Sequence, residues 1–64
     1  MVIINGQPYE IAGTTLAEWL STAGYRTDRL AVELNGTIIP PEQYAATTLA
    51  DGDKVEIVCF VGGG

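Results

Sequence analysis

The stretch Lys54-Val55-Glu56-Ile57-Val58-Cys59-Phe60-Val61-Gly62-Gly63-Gly64 decides the fold and carries most of the functional information. Side chains of an extended strand alternate between its two faces. Val55, Ile57, Cys59 and Val61 therefore share one face, and Glu56, Val58 and Phe60 share the other. Asp51-Gly52-Asp53 is the turn that launches this strand, expected over residues 54–61. If a helix covers the Val55/Ile57 face, Val58 and Phe60 emerge on the open side of the sheet, near Glu33 and Glu56. An exposed apolar pair with an acidic rim often marks a partner surface on a small protein; the alternatives are that loops or a second copy of the chain cover it, or that the strand twists Phe60 inward. Cys59 reads as a small buried hydrophobe, since no histidine or lysine cluster stands beside it to activate the thiol.

Working back from that strand, the rest of the chain supplies the sheet and the helix. Val2 to Ile4 is a β-branched run followed by the hairpin signal Asn5-Gly6. A second strand, Tyr9-Glu10-Ile11, resumes after Pro8, which is tolerated at a strand start or on an edge. Thr15-Leu16-Ala17-Glu18 has capping-box spacing, with Thr15 as the N-cap and Glu18 reaching back. Leu16, Trp19, Leu20 and Ala23 fall at i, i+3, i+4 and i+7 on one helical stripe, and Gly24 stops the helix after about nine residues. Leu30 to Leu34 alternates, Asn35-Gly36 is a second hairpin turn, and Thr37 to Ile39 runs until Pro40-Pro41. Pro41-Glu42-Gln43-Tyr44 suits a single helical turn, and Thr47-Thr48-Leu49 a minor extended piece. The order β-β-α-β-β-β predicts an α+β fold of two layers: a mixed sheet with one main helix on one face. The β-grasp, or ubiquitin-like, fold has this order. Residues 1–61 are expected to form that domain and residues 62–64 a flexible tail.

Composition narrows what such a domain can do. The chain has 64 residues, 47% of them hydrophobic, so one small core is available. Eight acidic residues against three basic ones give a formal charge of −5. Arg26, Arg29 and Lys54 are too few and too scattered for a phosphate backbone, and nucleic acid is not an expected partner. Acidity suits docking on a basic patch of another protein, and on charge alone it suits simple solubility equally well. A single cysteine and no histidine leave neither a metal site of the Cys/His type nor a Ser-His-Asp or Cys-His catalytic arrangement. No catalytic residue is assigned. No apolar run approaches membrane-spanning length and the N-terminus lacks a signal-peptide pattern, so the expected location is the cytoplasm.

The three terminal glycines have a chemistry of their own. Glycine loses the most entropy on ordering, so Gly62, Gly63 and Gly64 should be mobile and able to thread a channel that would exclude any Cβ. The carboxylate at the tip is ionised at neutral pH and is a poor acylating agent. Activation by attack on the α-phosphorus of ATP would make it one. The chain has no phosphate-binding loop, so ATP and Mg²⁺ must belong to a partner, and no cofactor is bound here.

These residues resemble a known family. The Val2–Gly6 start, the Asn35-Gly36 turn, Pro41-Glu42-Gln43-Tyr44, Asp51-Gly52-Asp53 and above all Val55 to Gly64 are similar to the bacterial sulfur carriers of thiamine biosynthesis, the ThiS family. The resemblance covers essentially the whole chain, with the ending its most specific part. It implies a β-grasp carrier, not an enzyme. Its terminal glycine, Gly64 here, is adenylated by a ThiF-like enzyme and converted to a thiocarboxylate with sulfur from a persulfide donor. A ThiG-like thiazole synthase then takes the sulfur. Many members have histidine where this chain has Cys59, so no imidazole is required there. The small subunit of molybdopterin synthase and a ubiquitin-like modifier joined to lysines stand as alternatives, as does a plain interaction module.

Overall fold

The computed structural model of the protein describes residues 1–60. Its elements run β1 (Val2–Ile4), β2 (Gln7–Tyr9), α1 (Leu16–Thr22), β3 (Leu30–Leu34), β4 (Thr37–Ile39) and β5 (Lys54–Cys59), with 3₁₀ turns at Thr27–Arg29 and Pro41–Ala46. The sheet order is β2-β1-β5-β3-β4. β1 and β5 are parallel at the centre, whereas β1/β2, β3/β4 and β3/β5 are antiparallel. A mixed five-stranded sheet with one helix across it is the α+β β-grasp architecture expected from the element order.

Both hairpins turn where Asn-Gly requires it. Asn5 and Asn35 lie at φ 49° and 51°, and Gly6 and Gly36 at 82° and 86°. Two consecutive residues at positive φ make the turn whose twist matches paired strands, and Asn and Gly tolerate it best. The second strand is Gln7–Tyr9 rather than Tyr9–Ile11, because a two-residue turn at Asn5-Gly6 puts Gln7 directly opposite Ile4. Pro8 thus sits inside the strand, opposite Ile3, on the edge of the sheet where a missing N–H is tolerated.

Thr15 caps α1, its hydroxyl accepting the Glu18 N–H at 3.2 Å. Among the described residues the reciprocal bond expected from the Glu18 side chain is not formed, and Glu18 is exposed. The helix has seven residues rather than nine. Gly24, at φ 84°, closes it with a double reverse bond: Gly24 N–H to Ser21 C=O at 3.1 Å and Tyr25 N–H to Leu20 C=O at 2.9 Å. Ala23 becomes the exposed C-cap instead of part of the apolar stripe.

Leu16, Trp19 and Leu20 press onto Val2, Ile4, Leu30, Val32, Val55 and Ile57, with Tyr44 and Leu49 closing the layer from the long connection. A seven-residue helix is too short to persist alone, so this packing is what keeps it folded. Trp19 is core, as its place on the stripe implied. Its ring lies edge-on to Tyr9 at 5.5 Å and tilted against Tyr25 at 5.6 Å, joining β2, α1 and the residue after it. Burial, and secondarily the charge of Glu42, raises the Tyr44 hydroxyl above its ordinary pKa of 10.0. The fold therefore loses stability as pH rises above that value and through the raised one. Thr47-Thr48-Leu49 contributes a single bridge, Thr48 to Thr15.

Candidate functional site

The face of the sheet opposite α1 is built by alternation on β5 and its neighbours. Asn35 N–H donates to Lys54 C=O at 2.8 Å and Phe60 N–H to Arg29 C=O at 2.7 Å. The even-numbered residues of β5 therefore aim their backbone groups at β3, and the odd-numbered ones aim theirs at β1. In this register Val58 stands opposite Ala31, and Glu56 opposite Glu33, which in turn faces Ile38 of β4. Val58 is 57% exposed, Phe60 58% and Ile38 70%. Val58, Phe60, Glu33 and Glu56 thus occupy the open face together. Ile38 joins them unannounced, although the alternation of Thr37-Ile38-Ile39 already carried that signal.

Glu33 and Glu56 face each other across one hydrogen-bonded register position. Like charges placed directly opposite are unfavourable in a sheet. An acidic pair at this position costs the fold something, and a basic partner surface would remove that cost. Among the described residues no three His, Cys, Asp or Glu side chains gather where they could hold a metal ion. No pocket opens in the described surface either.

Cys59 departs from expectation: it is exposed, not buried. Val55 and Ile57 are flanked by β3 on one side and by β1 or the Asn5 side chain on the other. Cys59 has only Leu30 beside it, because β1 has already ended at Ile4. The alternation is right, but the covering layer does not extend that far. β5 is described to Cys59 rather than to Val61. Gly62, Gly63 and Gly64, the residues expected to thread and to react, lie outside the described residues, as does the expected mobility of the tail.

Two further side chains, beside β5 rather than on its open face, carry roles that the sequence pattern does not show. Asn5 and Asn35 were legible as turn residues, but both also bind β5 through their amides. Asn35 Oδ1 accepts from Lys54 N–H at 2.8 Å while its Nδ2 donates to Asp53 at 3.0 Å. Asn5 holds Ile57 through both amide atoms, with Oδ1 accepting from the Ile57 N–H at 2.7 Å and Nδ2 donating to its C=O at 3.2 Å.

A five-stranded mixed sheet with the last strand at its centre and one covering helix define a β-grasp protein of the ubiquitin-like kind. The pattern of the ThiS family matches residues 2–64. The chain is 38% identical over 64 residues to the sulfur carrier protein ThiS of Thermus thermophilus, covering all of both chains. A solved thiamine biosynthesis protein (ThiS) from Geobacter metallireducens superposes with a TM-score of 0.79 at 36% identity, covering 98% of this chain and 97% of that one. A thiazole synthase of Paramagnetospirillum magneticum is 41% identical over 64 residues, 98% of this chain. The chain spans about a fifth of that enzyme's length, 20%, and 19% of a similar thiazole synthase from Magnetococcus marinus. The chain belongs to the ThiS family.

Among the described residues no helix is long and apolar enough to cross a membrane.

Proposed function

We propose that the chain is a sulfur carrier of thiamine biosynthesis, loaded at Gly64, and not itself an enzyme. The observation that carries this reading is the Gly62-Gly63-Gly64 ending of the sequence, close after the exposed Val58 and Phe60. The Gly64 carboxylate attacks the α-phosphorus of ATP on a ThiF-like enzyme, which supplies Mg²⁺; pyrophosphate leaves and an acyl-adenylate forms. The terminal sulfur of a persulfide displaces AMP, a second thiol resolves the resulting acyl disulfide, and a thiocarboxylate remains. Sulfur is a softer and better nucleophile than the carboxylate oxygen it replaces. Acceptance by a thiazole synthase is supported by the relatives in which a stretch similar to this chain lies within a thiazole synthase polypeptide.

Incubation with the adenylating enzyme, Mg-ATP and a persulfide donor should raise the intact mass by the difference between one sulfur and one oxygen. An unchanged mass with a demonstrably active enzyme would sink the proposal. A strain lacking the protein should need thiamine to grow; loss of molybdoenzyme activity instead would indicate the molybdopterin pathway, and lysine-linked conjugates in extracts a modifier.

The open face supplies the grip for that delivery. Phe60→Asp should weaken binding to the adenylating enzyme by at least ~1 kcal/mol, about five-fold or more, since a half-exposed aromatic beside the reacting tail fits the anchor role. Thermal unfolding should be nearly unchanged, because more than half of Phe60 is already in water. Binding unaffected by the carboxylate would exclude this face from the contact.

A further inference from the structure

Along the parallel pairing of β1 with β5, Ile3 N–H donates to Asp53 C=O and Asn5 N–H to Val55 C=O, each at 2.9 Å. The next step of this ladder falls on Ile57, but the main chain has turned away at Asn5-Gly6. The Asn5 side chain takes the vacated place, accepting from the Ile57 N–H and donating to its C=O. A carboxamide carries the same donor and acceptor as a peptide group, so it serves as one more strand residue. Asn5 therefore takes up both backbone groups of Ile57 on the β1 side, while Val32 of β3 stands beside it on the other. Beyond it only β3 remains, and the Phe60 N–H to Arg29 C=O bond is the last between the two chain segments among the described residues.

We infer that Asn5 is a positioning residue for the chemistry at Gly64: its amide fixes the line of β5 where the segment leading to the terminal carboxylate begins. The inference rests on the sulfur-carrier reading. Docking energy comes from the open face, which Asn5 does not touch, whereas the direction of the strand governs how often the carboxylate meets the α-phosphorus in attacking geometry. Loss of the amide should thus lower turnover more than apparent affinity.

Asn35 provides an internal control. It occupies the same turn position at nearly the same φ and also clamps β5, but at Lys54, the end remote from Gly64. Asn5→Gly and Asn35→Gly both keep the turn backbone accessible and both delete an amide. Hydrogen exchange at the Ile57 amide and ATP–pyrophosphate exchange with a purified ThiF-family enzyme, over a range of carrier concentrations, would be measured for each. Asn5→Gly should lose protection at Ile57 and show kcat lower by about 3- to 10-fold with KM within about two-fold. Asn35→Gly should keep wild-type kcat. Asn5→Asp retains the acceptor for the Ile57 N–H and lacks the donor, so its kcat should fall between wild type and Asn5→Gly. It carries the test alone where Asn5→Gly does not fold. Equal kcat for wild type and the folded Asn5 variants, or equal losses for Asn5→Gly and Asn35→Gly, would overturn the positioning role. Failure of the wild type to support any exchange would sink the carrier reading itself, and the inference with it.

Discussion

Leu20→Ala is expected to remove about 2–5 kcal/mol of stability, the range for a fully enclosed leucine whose loss leaves a cavity. Leu20 is 0% exposed and packs at the middle of the layer between α1 and the sheet. A 64-residue domain has a total stability of only roughly 3–10 kcal/mol at the usual per-residue value, so the variant stands near the edge of folding. With a small domain's urea dependence of about 1 kcal/mol per molar, the midpoint should drop by at least 2 M. The effect is amplified by the shortness of α1: seven residues hold no helix without their buried face. A loss below ~1 kcal/mol would show that the helix is not pinned chiefly by this side chain, and that the Trp19 aromatic contacts bear more of the attachment.

Local chemistry made most of this fold readable in advance. Asn-Gly at 5–6 and 35–36 and Thr15 at a helix start each have one dominant local use, and each is found in it. The stripe Leu16, Trp19, Leu20 and the alternation Val55, Ile57 name the two surfaces that meet. What alternation cannot supply is the extent of the cover. It put Cys59 on the same side as Ile57, but whether that side is sheltered depends on β1, a strand from a different part of the chain that stops three residues after it starts. The same non-local fact creates the role of Asn5. Its turn preference is a property of the dipeptide, whereas its grip on Ile57 exists only because β1 ends one ladder step short of Ile57. The open face was legible at Val58 and Phe60 through strand periodicity, and the opposition of Glu33 and Glu56 needed the register of β3 against β5.

Removal of Gly64, or extension of the chain by a single alanine, is expected to abolish thiocarboxylate formation while leaving the unfolding transition in place. Among the described residues the enclosed core side chains all lie at or before Ile57, and neither change alters any of them. The chain shortened to Gly63 still ends in a carboxylate, and its chemistry is unchanged. What changes is reach: one residue fewer withdraws the nucleophilic oxygens by up to about 3.5 Å. Reacting atoms must approach to about 3–3.5 Å, and misplacement of only ~1 Å can cost a hundred-fold in rate. An added alanine overshoots by the same length and brings a Cβ into a path that three glycines leave bare. Time-resolved intact mass with enzyme, Mg-ATP and persulfide donor separates the possibilities. Sulfur incorporation into the Gly63-ended chain at the wild-type rate would mean that the partner does not measure the distance from its grip on β5 to the carboxylate. The Asn5 clamp would then have nothing to position. Loss of incorporation together with undiminished binding places the requirement on the length of chain beyond Phe60, and makes the domain the fixed end from which that length is counted.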